Sequence, residues 1–401
     1  MCVVAARATA AIASLRLTLA DVVRAHGDAY RRTHRLATIQ VKALRAIAAC
    51  RTALLGGHRE RCDHCGATRI TYNSCRNRHC ATCQSHASAQ WIEARRAELL
   101  PIPYFHVVFT LPHDLNALAQ GNPRVIYTLL FRAAAETLLT FGRDPRHLGG
   151  TIGITAILHT WGQTLAQHLH VHCLVTGGAL SPDRRHWIRG RRSFLFPVKA
   201  LSIVFRAKYL AGLQRAFNED RLTFAAGTAP LADRAAFAAF VAALRSRPWV
   251  VYAKRPFAAP AHVIQYLGRY THRIAISNAR LISLTDSVVR FGWKDYADHG
   301  RPKIMALDVE EFLRRFLVHV LPRGFVRIRH FGLLANRQRR TTIAQAQRLL
   351  GGATPTPAPD DSSAVDVDRT RCPLCRLGHW QVVEILRPLV PPFVTVTPDT
   401  S

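Results

Sequence analysis

Nine residues, Gln167-His168-Leu169-His170-Val171-His172-Cys173-Leu174-Val175, restrict what this chain can fold into more than any other stretch. Histidines alternate with apolar residues, and a period of two reads as a β-strand. On that strand His168, His170 and His172 share one face, and Leu169 and Val171 share the other. Next-but-one side chains on a strand stand roughly 6–7 Å apart, so neighbouring histidines can hold one ion between them. The outer two, at about 13 Å, cannot. Taken alone, such a pair also fits a polar strand face held by solvent and hydrogen bonds.

Charge narrows the partners. Among 401 residues, 55 are Lys or Arg and 25 are acidic, a formal net charge of +30. That excess predicts a polyanionic partner, most simply nucleic acid, bound with a steep salt dependence. No membrane association is expected, because no apolar run approaches the roughly 20 residues that a bilayer span needs. Ala235 to Leu244, mostly alanine, is the nearest. Met1 to Leu19 carries Arg7 and Arg16 and lacks an uninterrupted apolar centre, so no signal peptide is expected. Ten cysteines, most at short spacings, point to metal binding in a reducing cytoplasm rather than to disulfides.

The densest cysteine block runs from His58 to Cys83. Its two Cys-x-x-Cys pairs, Cys62/Cys65 and Cys80/Cys83, are separated by fourteen residues. Each pair can form a knuckle, and four thiolates close a tetrahedral structural Zn²⁺ shell with no open position. Cys62, Cys65, Cys80 and Cys83 are therefore the expected zinc ligands, with Cys75, His58, His64, His79 and His86 left over. Arg69, Arg76 and Arg78 allow this finger to contact DNA, although a purely structural knob reads equally well.

Along the rest of the chain, residues 13–55 are helix-like, Tyr104 to Leu111 reads as a buried strand, and residues 124–140 as a helix. Ile152 to Leu158 is another apolar run. It ends in His159-Thr-Trp161-Gly162-Gln163 just before the histidine strand, which Gly177-Gly178 closes. Residues 198–245 are helical and alanine-rich, and Trp249 to Lys254 is a strand. Pro260 then opens a helix on which Tyr266 and Tyr270 lie one turn apart on the same face. Val288 to Tyr296 reads as a strand and Glu310 to Val320 as a helix. The basic run Arg323 to Arg340 suits either a solvated face or phosphate contact. From Gly351 to Asp368 the composition is that of a linker. Beyond it, Cys372-Pro-Leu-Cys375 is half a knuckle, a single pair that by itself predicts no second metal site, and a mobile, proline-rich tail follows.

These parts suit phosphoryl transfer. A divalent ion on two histidines keeps open positions with which to grip a phosphate oxygen, where charge builds up in the transition state. A tyrosine attacking phosphorus would conserve the DNA backbone energy in a phosphotyrosine link, and two tyrosines on one face permit two such links in sequence.

The ordered stretches YFHVVFTLP (104–112), HTWGQTL (159–165), His168–Val175, YLGRYTHRIAISN (266–278), FLVHVLP (316–322) and RIRHFGLLAN (327–336) resemble the insertion sequence 91 family of transposases. These are two-tyrosine members of the HUH endonuclease class. The block YNSCRNRHC resembles that family's N-terminal zinc-binding domain, and the similarity spans roughly residues 13–340. The resemblance implies rolling-circle-type transposition of single-stranded DNA ends, with a 5′-phosphotyrosine intermediate and Mg²⁺ or Mn²⁺ at the histidine pair. Carried over, His170 and His172 are the metal ligands, and Tyr266 and Tyr270 are the catalytic tyrosines, Tyr266 attacking first. A third ligand is expected among Gln163, His168, His106 and Gln265. Arg69, Arg76, Arg78, Arg269, Arg273, Arg327 and Arg329 are the expected DNA contacts. The alternative reading is a non-catalytic zinc-finger DNA-binding protein; RNA binding rests on charge alone.

The expected architecture is α+β. A helical and zinc-binding domain (1–95) precedes a nuclease domain (100–345) with a central antiparallel sheet flanked by helices, and a linker and basic tail (346–401) follow. The expected location is the cytoplasm, on the nucleoid.

Overall fold

The computed structural model describes residues 16–84, 91–92, 95, 98–191, 195–254, 257, 263, 274–351 and 370–389. The chain starts with two helices, α1 (Leu19–Thr33) and α2 (Thr38–Ala49). Thr18 and Asp21 begin α1 with a reciprocal capping box: the Thr18 hydroxyl accepts from the Asp21 amide, and the Asp21 carboxylate accepts from the Thr18 amide. A hairpin follows, β1 (Gly57–Cys62) and β2 (Thr68–Tyr72). Next come β3 (Tyr104–Thr110), α3 (Leu115–Gly121) and the long α4 (Pro123–Arg143), whose proline takes a first-turn position needing no N–H donor.

The hairpin β4 (Gly153–Trp161) and β5 (Gln167–Thr176) carries the histidine stretch. It is followed by the short pair β6 (Gly178–Leu180) and β7 (Trp187–Arg189), then α5 (Val198–Asn218), α6 (Arg234–Ser246) and β8 (Val251–Ala253). A meander of β9 (Leu281–Thr285), β10 (Val288–Asp295) and β11 (Arg301–Asp308) leads into α7 (Val309–Leu317). Asp308 caps α7, with Glu310 and Glu311 in its first turn and Arg314 and Arg315 in its last, which complements the helix dipole. The described chain closes with β12 (Ile328–Gly332), α8 (Arg339–Leu349) and β13 (Trp380–Leu386).

The central sheet has the order β12-β4-β5-β3-β8, every pair antiparallel. Its two faces differ because of the alternation read in the sequence. Leu169, Val171, Cys173 and Val175 of β5 join Val107 and Phe109 of β3 in the main core, covered by Leu130 and Phe131 of α4 and Phe205 and Tyr209 of α5. Phe109 and Phe205 are both fully buried, with ring centroids 4.9 Å apart; each contributes about 1.5–3 kcal/mol of burial. Helix α4 is long and apolar enough to cross a bilayer by length and composition, and its apolar residues are spent on this core.

The opposite face of the sheet carries the histidines. Beside them, Ile157 of β4, Leu174 of β5 and Tyr104 of β3 pack with Leu333, Ile343 and the fully buried Val263. A further core joins both ends of the expected domain order. Leu19, Val22 and Leu44 of α1 and α2 pack with Val289 and Phe291 of β10 and Phe312 and Leu313 of α7. The meander has one apolar face to cover, and the N-terminal helices cover it. The Asn278 carboxamide oxygen accepts from the Leu19 amide at 3.0 Å, and the Gln40 carboxamide donates to the Leu317 carbonyl at 2.9 Å.

Two sequence readings change. The basic stretch after Arg323 contains β12, an edge strand in which Ile328 faces Ile157 and His330 faces Thr155. The segment read as a tail contains β13, which pairs antiparallel with β1 to make the three-stranded sheet β13-β1-β2.

Candidate metal centre

Hairpin β4–β5 builds the site. Its register sets His159 opposite His170 and Ile157 opposite His172. The three imidazoles of His159, His170 and His172 are buried, and their nearest ring nitrogens all lie within 4.8 Å of one another. Ring centroids are 4.5 Å apart for His159 and His172, 4.8 Å for His170 and His172, and 5.4 Å for His159 and His170. His159 stacks on Trp161 at 4.7 Å, which fixes its ring plane.

Surrounding groups set which nitrogen faces the cluster. His170 Nδ1 donates to the His168 carbonyl oxygen at 2.8 Å, so its other nitrogen keeps a lone pair for a ligand bond. His172 Nδ1 lies 2.8 Å from His106 Nε2, and these two rings stack at 5.1 Å. Burial, with the charges of Lys254 and His170, pushes His106 down to about 3, so it is a neutral imidazole able to accept from the His172 N–H.

Of the four residues expected to include a third ligand, the histidines His106 and His168 do not join the cluster; its third member is His159. His106 touches His172 from behind, and His168 contributes its backbone oxygen while its ring leans on His113 at 5.4 Å. Gln163 lies in the β4–β5 turn, where its carbonyl accepts from Arg280. Gln265 lies outside the described residues, as do Tyr266, Tyr270, Arg269 and Arg273.

The expected zinc shell is corrected. Cys62, Cys65, Cys80 and Cys83 do not converge; they divide between two clusters of four. In one, Cys80 and Cys83 meet Cys50, at the C-terminus of α2, and Cys75, with neighbouring sulfurs 3.6–3.7 Å apart. This cluster lies against the N-terminal core. Hydrogen bonds from the other thiols pull the Cys83 thiol down, while those from Cys50 push the Cys75 thiol up. One thiolate thus suppresses ionisation of its neighbours, and a dication at the centre would relieve that. In the other cluster Cys62 and Cys65 meet Cys372 and Cys375. The pairing is structural: β13 sits beside β1, with Trp380 opposite Cys62, and so delivers the C-terminal pair.

Several of the expected DNA-contacting arginines are engaged inside the fold. Arg69 donates to Glu60 at 2.5 Å and its guanidinium lies 4.3 Å over Trp380. Arg78 donates to the Phe325 carbonyl at 2.7 Å. Arg327 is only 9% exposed, and burial beside Arg78 lowers its pKa to about 9. The Arg329 guanidinium lies 4.5 Å over the Phe131 ring and 5.0 Å over the Phe325 ring. Of that set, among the described residues, Arg76 is the one on the surface.

A mixed helix-and-sheet chain with antiparallel sheets, a buried histidine triad and clustered cysteines on a strongly basic background fits a metal-binding protein suited to a polyanion such as DNA. Residues 153–341 match a family profile described as "Putative transposase", and residues 22–111 match the "Transposase zinc-binding domain". The chain is 50% identical over 377 residues to "Putative transposase y4qJ" of Sinorhizobium fredii (strain NBRC 101917 / NGR234), covering 92% of this chain and 95% of that protein. It is 30% identical over 362 residues to "Transposase for insertion sequence element IS801" of Pseudomonas savastanoi pv. phaseolicola, covering 85% and 82%. No solved structure matches it. The chain belongs to the insertion sequence 91 family of transposases.

Proposed function

We propose that this protein is a metal-assisted, single-strand DNA endonuclease and strand transferase of the two-tyrosine HUH class, acting on the ends of a mobile element in the bacterial cytoplasm. The observation that carries the reading is the triad of His159, His170 and His172 on the central sheet. Three imidazole nitrogens within 4.8 Å fit one divalent ion and leave coordination positions open. Bound there, Mn²⁺ or Mg²⁺ would polarise the scissile phosphate, and an all-nitrogen donor set favours Mn²⁺ over the oxygen-seeking Mg²⁺.

The chain's own groups supply the rest. Tyr266 or Tyr270 attacks phosphorus, the ester bond to the 3′ oxygen breaks, and the strand is left with a free 3′-OH and a 5′-phosphotyrosine. The second tyrosine repeats the exchange on the incoming strand. In support, Val263, three residues before Tyr266, is fully buried in the cluster that contains Ile157 and Leu174, the residues flanking His172 on its face. The +30 net charge draws single-stranded DNA to the site and predicts weakening with salt.

The test is covalent trapping. Purified protein incubated with a labelled single-stranded element end and Mn²⁺ should yield a denaturant-resistant adduct, and Tyr266→Phe/Tyr270→Phe should yield none. An adduct in that double variant sinks the tyrosine assignment. DNA binding without any adduct in the parent protein would instead favour a non-catalytic role.

His106 acts on this site through His172. Replacing it by leucine removes the acceptor that orients the imidazole, and the Mn²⁺ concentration needed for half-maximal cleavage should rise about 10–100-fold. His106→Gln, which restores an acceptor, should recover most of the loss. Equal behaviour of the two variants would reduce His106 to a packing residue.

A further inference from the structure

We propose that Cys62, Cys65, Cys372 and Cys375 form a second tetrathiolate site, filled by Zn²⁺, that locks the C-terminal strand β13 onto the N-terminal hairpin β1–β2. The match to the transposase zinc-binding domain ends at residue 111, far short of the C-terminal pair.

The sulfur geometry is that of a single tetrahedral ion. Cys62 Sγ lies 3.7 Å from Cys375 Sγ, Cys65 Sγ lies 3.8 Å from Cys372 Sγ, and all four fall within 4.8 Å of one another. A Zn–S bond of about 2.3 Å gives a tetrahedron with edges of roughly 3.8 Å. Iron–sulfur clusters spread their thiolates over separate irons and so need a wider arrangement.

The backbone around the site has the shape of two opposed knuckles. The amide of Cys65 points at Cys62 Sγ at 3.5 Å, and that of Gly378 points at Cys375 Sγ at 3.4 Å, each three residues after its sulfur. Gly378 is required for the approach, since a Cβ there would stand 2.7 Å from Cys62 Sγ. Asp63 ties the knuckles together: its carboxylate accepts from the His379 amide at 2.7 Å, and its amide donates to the His379 carbonyl at 3.1 Å. The Arg59–Glu384 ion pair at 3.2 Å bridges β1 and β13 farther along.

Burial does not hold this sheet. Ile70, Val382, Val383 and Ile385 are all about half exposed or more. A sheet this small with its apolar residues in water needs a metal to be stable. The ion therefore closes a loop between two knuckles whose cysteines are 307 and 313 residues apart.

The experiment is zinc content per full-length chain by mass spectrometry, on parent and variants. Cys372→Ser/Cys375→Ser should lose one equivalent. Cys62→Ser/Cys65→Ser should lose one, and the four substitutions together should lose the same single equivalent. Cys50→Ser/Cys75→Ser should lose a different one, additive with the first. Cys372→His, which keeps a zinc donor, should retain the ion. A second readout places a protease site between residues 352 and 369. After cleavage the fragment from Thr370 onward should stay with the parent protein and leave the Cys372→Ser/Cys375→Ser variant. Unchanged zinc in that variant, additive loss between the 62/65 and 372/375 pairs, or iron in place of zinc overturns the assignment. A fragment that stays bound after its zinc is lost overturns the lock.

Discussion

His159→Ala should lower single-strand cleavage at least about 10³-fold while leaving the fold in place. Among the described residues His159 supplies one of three clustered imidazoles, so its loss leaves two of them. Lewis-acid assistance at a phosphate is worth several kcal/mol, and each 1.4 kcal/mol is a factor of ten. The residue is buried beside Trp161 rather than in the main core, so the thermal midpoint should move far less than the rate. Single-turnover cleavage at saturating Mn²⁺, with circular dichroism alongside, measures both. A rate within tenfold of the parent would remove His159 from the ligand set and return Gln163 and His168 to consideration.

Gly332→Ala should destabilise the protein by about 2–6 kcal/mol. Gly332 ends β12 with φ +64°, a conformation that L residues adopt at a cost. An added Cβ would overlap the carbonyl oxygen of Ile152, and backbone there cannot step aside without breaking the pairing of Gly332 with Gly153. Strain of about 1–3 kcal/mol and overpacking of a similar size add up to that figure. Urea unfolding checks it; a loss below about 1 kcal/mol would mean that β12 ends differently. Because β12 borders β4, the substitution should also weaken the strand that carries His159.

The periodicity of residues 167–175 was enough to read β5 and its two faces, because alternation is a local property. The third histidine of the cluster was legible too, but only by counting pairs across the β4–β5 turn. Trp161 faces Gln167, and a bulge between His159 and Trp161 brings His159 opposite His170. Stopping the apolar run at Leu158 left that histidine outside the strand. The cysteines failed for a different reason. Local spacing favours joining Cys62/Cys65 to Cys80/Cys83, whereas the actual partners are chosen by β13 lying beside β1, a contact with no signature in either segment. The leftover count held the clue: Cys50, Cys75, Cys372 and Cys375 bring four cysteines to eight, enough for two shells. The arginines show the limit of charge as evidence. A net +30 says that cations are plentiful, but not that Arg78 and Arg327 turn inward.

The pairing of β1 with β13 also sets a clock on biosynthesis. Hairpin β1–β2 leaves the ribosome early, with two of four thiols in hand and one strand edge open. Its third strand arrives about 310 residues later, which at roughly 5–20 residues per second is some 15–60 s of translation. During that interval Cys62 and Cys65 lack Cys372 and Cys375 as partners. Any message that ends before Cys372 leaves them so in the finished product. Shortened copies of the gene would therefore carry the histidine triad intact yet release a chain whose β1–β2 hairpin lacks its third strand, so that residues 370–386 would govern residues 57–72.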